Sequence, residues 1–485
     1  MNHNPGTILL SSRSQSNYQS RFFKAFLIFY GCLWVFIALY YTNSIPSLIL
    51  FILVASIIQL FNSKHTLLFM LFISPFVGIL TFEFYGTTLK LVDIYLLVYC
   101  ILHIFPLLKN YLNLSTEYLL PFYLFALIIV LNIIYVQINA PNIQLEYGEV
   151  IEGFNLKSIG MTSVKNLVWL FLYITLIIII MTHVRTTEHL EHYLNYFLWI
   201  QTLIGCWTLT GIIEYYITGD PSLSMWKHGT SFFRLRGGDW EPSYYGTYLL
   251  ILLPLYLLPF LKKVYIYNRG FHLFAMTVFF LNLILSLSSS AWMLLPFVLV
   301  INFLFILYYI REKSISIPLI FTSVIIVFSL SIGLALALNQ MQAIETIAVK
   351  VLSPMESGSG QNRIENMLMA LEVFWKNPIF GSGYYESGNV YTEMMALYGI
   401  LGIIIFLAIM GFLYYKALRY RKLIMNPRFD IYSVALGCSI LCMMLTMLIN
   451  STFFRVYYWI IFGFILARNR IAKTIINKQI KISSY

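Results

Sequence analysis

The sequence YTEMMALYGILGIIIFLAIMGFLYY, residues 391–415, contains one charged side chain, Glu393, in an otherwise apolar and aromatic run. A helix of about 20 predominantly apolar residues crosses the hydrocarbon core of a bilayer. The stretch is therefore predicted to be a transmembrane helix. Two of the other apolar runs are short, and one pair is separated only by Ser288 and Ser289, so the pattern predicts about 12–14 spans. The other runs lie near 22–41, 46–61, 66–84, 88–108, 118–137, 163–184, 194–217, 243–261, 271–287, 290–310, 316–338, 430–449 and 452–467.

The overall composition agrees with this pattern. Of 485 residues, 60% are hydrophobic and 11% are charged, whereas a soluble domain is about 45–50% apolar and about 25% charged. The composition excludes a soluble enzyme, a disordered chain and a disulfide scaffold. It predicts an all-α polytopic transmembrane helical bundle. The net charge of +11 is attributed to cytoplasmic loops and membrane lipid headgroups rather than to nucleic acid.

The distribution of basic residues predicts the orientation. With 14 spans and a cytoplasmic N-terminus, 21 of the 31 Lys and Arg residues fall on the cytoplasmic side. Cytoplasmic loops are enriched in Lys and Arg, so both termini are expected inside. The predicted organisation is a tail at 1–21, a transmembrane domain at 22–467 and a basic tail at 468–485. Long outer loops are predicted near 138–162, 218–242 and 339–390.

The second outer loop ends with RLRGGDWEPS, residues 234–243. Arg234 and Arg236 are suited to bind phosphate oxygens in a forked geometry. At a membrane surface, a doubly anionic ligand of this kind is a lipid pyrophosphate. The alternative is that these arginines reach towards headgroups or pair with Asp239 and Glu241. Pro242 is typical of the first turn of a helix and predicts that a span begins there.

The third outer loop is predicted to contain an amphipathic helix. Asn362 and Glu365 resemble a capping box, and apolar residues then recur at helical spacing as far as Trp375. The helix is expected at the membrane surface or over a cavity, ending at Asn377. Arg363 would lie in its first turn, where free amides add donors for an anion. The alternative is a solvated charge at a helix end.

Other polar residues near the outer face are weaker candidates. Tyr384 and Tyr385 are suited to stack on sugar rings, although tyrosine is also common at membrane interfaces. Glu393 is an ionisable residue near the start of a span, which suggests function. Arg455 is placed to join the outer basic cluster. No His, Glu or Asp set in the sequence has metal-ligand spacing.

Taken together, these segments resemble the O-antigen ligase and O-antigen polymerase superfamily of bacterial envelope glycosyltransferases. The resemblance covers about residues 230–405, and it is carried by four motifs in order. They are Arg234 to Gly237 followed by Glu241-Pro242-Ser243, the serine-rich run 286–290, Arg363 followed by NPIFGSGY at 377–384, and Asn389 to Gly402.

Two departures from the family pattern are present, and the second, the absence of a histidine, favours a polymerase over a ligase. An arginine usually follows the serine-rich run, and here Ala291 does. Ligases carry a histidine, their proposed base, before the asparagine, and here Gly388 precedes Asn389. The base is then unassigned by resemblance. Glu241 is the first candidate, with Tyr384 and Tyr385 behind it.

The resemblance implies a GT-C-like bundle acting as a Wzy-type polymerase in the bacterial inner membrane. It would transfer the growing glycan from undecaprenyl pyrophosphate to an incoming lipid-linked repeat unit at the periplasmic face, without cofactor or metal. The expected partners are the lipid-linked donor and acceptor, membrane lipids and a chain-length regulator. The alternatives are an O-antigen ligase, which glycosylates lipid A core, and a flippase for lipid-linked oligosaccharides. The expected catalytic residues are Glu241 and Arg363, and the expected substrate-binding residues are Arg234, Arg236, Tyr384, Tyr385, Asn389, Glu393 and Arg455.

Overall fold

The fold is described from a computed structural model. It covers residues 44–61, 63–78, 81–84, 87–113, 116–139, 156–220, 224–228, 232–309, 358–383, 389–424, 426–450 and 453–483. The expected spans near 22–41 and 316–338, the N-terminal tail and most of the first outer loop lie outside these ranges.

Helices dominate the described residues. They are α1 Ser44–Phe61, α2 Ser63–Ile73, α3 Leu91–Leu102, α4 Ile104–Asn113, α5 Thr116–Ile138, α6 Leu156–His183, α7 Thr187–Thr218, α8 Pro242–Leu261, α9 Arg269–Leu285, α10 Ser289–Tyr309, α11 Gly358–Lys376, α12 Val390–Leu418, α13 Pro427–Thr446 and α14 Val456–Ser483. Two antiparallel hairpins complete the fold, one of β1 Thr81–Phe84 with β2 Thr87–Lys90, the other of β3 Met225–His228 with β4 Phe232–Leu235.

Within the described ranges, seven helices are long and apolar enough to cross a membrane, namely α5, α6, α7, α8, α10, α12 and α13. Three more apolar helices are shorter, and they lie in α1, α3 and α9. The expected all-α multi-pass class is confirmed. The core lies between paired long helices. Helix α8 packs on α10 and α13, and α6 packs on α5 and α14.

The expected span at 66–84 is wrong. Helix α2 ends at Ile73, and the chain then turns and enters the first hairpin at Thr81. Pro75 explains the early end, because the residue before a proline is disfavoured in helical conformation. The expected span at 88–108 is also divided, since α3 and α4 meet at a break around His103.

Helix α14 continues to Ser483, well past the expected end of the last span at 467. Arg468 explains why this segment stays packed. Its fully buried guanidinium donates to the hydroxyl of Ser433 at 2.7 Å and to the carbonyl of Arg419, the C-cap residue of α12. At the same end of the bundle, Lys416 and Lys473 both bind the carboxylate of Glu117, at 2.8 and 2.5 Å.

Helix α12 is interrupted at Gly399, whose φ of 67° and ψ of −158° are not helical. The segment 377–383 fills the break. The Ser382 amide donates to the carbonyl of Ala396 at 2.9 Å, and the Ile400 amide donates to the carbonyl of Pro378 at 2.7 Å. Backbone groups in an apolar setting need such partners. The family-like stretch NPIFGSG therefore has a structural role in this fold.

Candidate active site at the serine-rich turn

The serine-rich turn, residues 286–290, joins α9 to α10. Leu287 has a φ of 46°, a left-handed conformation that costs a non-glycine residue roughly 1–3 kcal/mol unless its surroundings enforce it. The Ser288 hydroxyl accepts the amide of Ala291 at 3.1 Å and so caps α10. The Ser286 hydroxyl donates to the carbonyl of Leu283 at 2.7 Å.

Helix α8 closes on this turn at Gly246. A Cβ added at Gly246 would lie 2.8 Å from the Cβ of Ser288 and 2.9 Å from that of Ala291. A side chain would therefore push the two helices apart. The start of α8, which follows the RLRGGDWEP segment, is in this way held against the serine-rich turn.

Arg234 reaches the turn from β4. Its neighbours Phe233 and Leu235 are buried, with 1% and 0% exposure. Because side chains alternate along a strand, Arg234 lies on the other face of the hairpin. Its Nε donates to the carbonyl of Ser286 at 3.3 Å.

Arg363 reaches the same turn from α11. Its guanidinium donates to the Ser290 hydroxyl at 2.7 Å. The expected helix start was wrong, since the described part of α11 is already helical from Gly358, ahead of Asn362. Arg363 therefore lies beyond the first turn, where the amides bond within the helix. The expected contribution of free helix amides to an anion is not supported.

The amphipathic character of α11 is confirmed. It packs on α12, and Ala370, Val373 and Phe374 are buried. Leu368 and Trp375 are exposed by 61% and 73%. Large exposed apolar side chains on a helix of this kind suit contact with lipid.

The electrostatics show that the arginines are near neighbours. Burial lowers the pKa of Arg234 to about 10, the carboxylate of Glu241 raises it, and the charge of Arg363 lowers it further. Arg234 thus remains cationic at neutral pH. Two guanidinium groups at this turn, with the carboxylate of Glu241 near Arg234, leave a net positive charge that favours an anionic ligand.

Glu241 lies at the N-cap of α8, where its side chain makes no capping hydrogen bond to the helix backbone. It is exposed, and the Ser243 hydroxyl donates to its Oε2 at 2.9 Å. An exposed carboxylate near Arg234 is accessible to a substrate hydroxyl. The first candidate base and two of the candidate pyrophosphate ligands are thus brought together.

Arg455 and Asp239 form a separate ion pair of 2.9 Å, with side chains 8% and 5% exposed. The guanidinium carbon of Arg455 also lies 3.7 Å from the centroid of the Tyr244 ring. Arg455 is thus bound by protein groups, and its expected contact with substrate stays a prediction. The alternative pairing of Asp239 with Arg234 or Arg236 is not the arrangement seen. Arg236 donates instead to the carbonyl of Trp240 at 3.5 Å.

The remaining candidates have mixed outcomes. Asn389 caps α12 by accepting the amide of Thr392 at 2.9 Å, so the structure gives it a structural role. Glu393 is 2% exposed in the first turn of α12, where the helix dipole favours a carboxylate. Tyr384 and Tyr385 lie outside the described residues. Contact of these four residues with substrate stays a prediction.

Ser286 and Ser290 were missed as members of the site. In the sequence, the serine-rich run stands out only for its family resemblance. The Ser286 acceptor is a backbone carbonyl, which the side-chain sequence cannot indicate. The Ser290 acceptor is a side-chain hydroxyl, which could have been proposed as a partner of an arginine. Within the described part of the chain, no group of three His, Cys, Asp or Glu side chains is placed to hold a metal ion.

A family comparison matches the part of the chain that contains this turn. Residues 274–407 match the family described as O-Antigen ligase. This match supports the resemblance of the chain to the O-antigen ligase and polymerase superfamily. The match includes the serine-rich turn, Arg363 and the 377–383 segment, and it implies a glycosyltransferase-like membrane enzyme. Arg234 and Glu241 precede the matched residues. No curated protein matches the chain.

Proposed function

We propose that this protein is an O-antigen polymerase, which transfers a growing glycan from undecaprenyl pyrophosphate to a second lipid-linked repeat unit. The observation that carries the proposal is the meeting of Arg234 and Arg363 at the serine-rich turn, beside Glu241. The two arginines come from segments more than 100 residues apart in sequence. Their meeting fits a ligand with two adjacent phosphates.

In the proposed reaction, the acceptor hydroxyl oxygen attacks the anomeric carbon of the donor sugar. The bond from that carbon to the phosphate oxygen breaks, and the lipid pyrophosphate leaves with the electron pair. Arg234 and Arg363 stabilise the charge that develops on this leaving group. Arg236 is proposed to contribute to phosphate binding from the edge of the site. Glu241 accepts the proton of the acceptor hydroxyl.

The proposed location is the periplasmic face of the bacterial inner membrane. The basic residues around Glu117 and Arg468 lie at the C-terminal end of α12. The serine-rich turn lies at the other end, because it contacts Gly246 near the start of α8. The neighbouring Thr247 accepts from Asn450, whose carbonyl accepts the amide of Val390 at the start of α12. Because basic residues favour the cytoplasmic side, this arrangement supports cytoplasmic termini and a periplasmic site. A lipid-linked donor would reach such a site from within the bilayer.

An O-antigen ligase is the second candidate, favoured by the description of the matched family. The resemblance places the base of ligases on a histidine, and the stretch 339–390 contains none. Glu241 would replace that histidine in a polymerase. A flippase is the third candidate. It would move lipid-linked glycan across the membrane of a vesicle without forming a glycosidic bond.

Reconstitution with purified lipid-linked repeat units tests the proposal. Long lipid-linked chains indicate a polymerase, glycosylated lipid A indicates a ligase, and translocation without new bonds indicates a flippase. We expect long chains, formed equally well in EDTA. Glu241→Gln should greatly reduce the rate, and full activity of that variant would remove Glu241 from the mechanism.

A further inference from the structure

The serine-rich turn contacts both arginines of the proposed site, although it supplies no charge itself. Resting on the proposed function, we propose that this turn positions the two guanidinium groups, and that Ser290 is a positioning residue that acts through Arg363. The Ser286 carbonyl accepts from Arg234 and the Ser290 hydroxyl accepts from Arg363. One turn therefore fixes the spacing of two cations that come from distant segments.

The contact between Ser290 and Arg363 is suited to this role. Ser290 is 3% exposed and lies in the first turn of α10, so its hydroxyl is held by the helix. The bond of 2.7 Å to the guanidinium is short and charge-assisted. It uses one donor of a group that has five, which leaves the others for phosphate oxygens. Fixing a flexible arginine before the ligand arrives lowers the entropic cost of binding.

The turn itself is held rigidly enough to position other groups. Leu287 is in the left-handed conformation, and the Ser288 hydroxyl caps α10. Gly246 of α8 approaches so closely that even a methyl group would displace the turn. Left-handed non-glycine residues persist only where their surroundings enforce them. A movement of the turn would therefore shift Arg234 and Arg363 together.

The test compares three variants of neighbouring serines in the polymerisation assay. Ser290→Ala removes the acceptor, Ser290→Thr retains a hydroxyl, and Ser289→Ala is the matched control one residue away. We expect Ser290→Ala to lower kcat/KM for the lipid-linked donor by about ten-fold to a hundred-fold, the effect of losing a hydrogen bond to a charged group. Ser289→Ala should match the wild type, and Ser290→Thr should recover most of the loss.

A double-mutant cycle separates positioning from a general structural effect. In an Arg363→Lys background, which lacks the guanidinium but keeps a charge, Ser290→Ala should change kcat/KM by less than about two-fold. A loss as large as in the wild-type background would overturn the proposed role, as would wild-type activity of Ser290→Ala. This cycle remains decisive if the Thr variant fails to fold. If instead Arg363→Ala itself retains full activity, the proposed function fails.

Discussion

Replacing Asp239 with asparagine removes one charge of a buried ion pair while keeping the size of the side chain. Asp239 binds Arg455 at 2.9 Å, and both side chains are less than a tenth exposed. Removing one partner of such a pair leaves an uncompensated buried charge and costs about 3–5 kcal/mol. The asparagine oxygen can still accept the Trp240 amide, as Asp239 Oδ1 does at 2.8 Å. We therefore expect the lower end of that range.

The assay is reversible unfolding in mixed detergent micelles containing increasing SDS, followed by tryptophan fluorescence. Glu372→Gln is the control, because it breaks an exposed ion pair of 3.6 Å to Lys376 in α11, worth at most about 0.5 kcal/mol. Replacing Asp239 and Arg455 together with apolar residues should recover much of the loss. A cost for Asp239→Asn no larger than that of Glu372→Gln would refute the buried pair.

Three further predictions concern backbone geometry, pH and a buried amide. Gly399→Ala should lower the unfolding midpoint and the folded yield in detergent, because its Cβ would lie 2.3 Å from the Ile379 carbonyl oxygen and its φ is positive; an unchanged midpoint would argue against the break in α12. Farnesyl pyrophosphate binding, measured by calorimetry, should weaken as pH rises through about 10, where Arg234 loses its proton. Arg363→Ala should move the midpoint of this pH dependence upward, because it removes a like charge near Arg234. A downward shift of the midpoint would contradict the proximity of Arg234 and Arg363. Asn132→Leu should destabilise the protein by about 1–3 kcal/mol in the SDS assay, because the Asn132 side chain donates to two carbonyls at 2.8 Å, whereas a neutral effect would show that water replaces it.

Much of the helical architecture could be predicted from the sequence, because span length and apolar content are set by the bilayer. The predicted span boundaries were wrong where a single residue overrides the apolar composition of its segment. Pro75 ends α2 within an apolar run, and Arg468 holds α14 in the bundle beyond the expected end of the span. Hydropathy averaged over a window of residues does not reveal the effect of a single proline or arginine.

The candidate site was partly predictable. Arginines in long outer loops are unusual enough to be singled out, and the structure brings Arg234 and Arg363 together. The pairing of Asp239 with Arg455 was not foreseen, because it joins residues 216 positions apart. The serine-rich turn was missed as the contact of both arginines, since a backbone carbonyl carries no signature in sequence. The helix start before Arg363 was misplaced because Asn362 and Glu365 fit a capping box, whereas Asn362 lies inside a helix that already includes Gly358.

The most direct test of the account is the polymerisation rate of Arg363→Ala in proteoliposomes supplied with lipid-linked repeat units. Removing one preorganised donor from a developing anion lowers kcat by about 100- to 1000-fold. Lys376→Ala removes a cation from the same helix, where it pairs with Glu372, and should retain wild-type activity. Loss of chain growth in the arginine variant alone is the predicted result. Equal chain growth in both variants would contradict the claim that Arg363 binds the pyrophosphate.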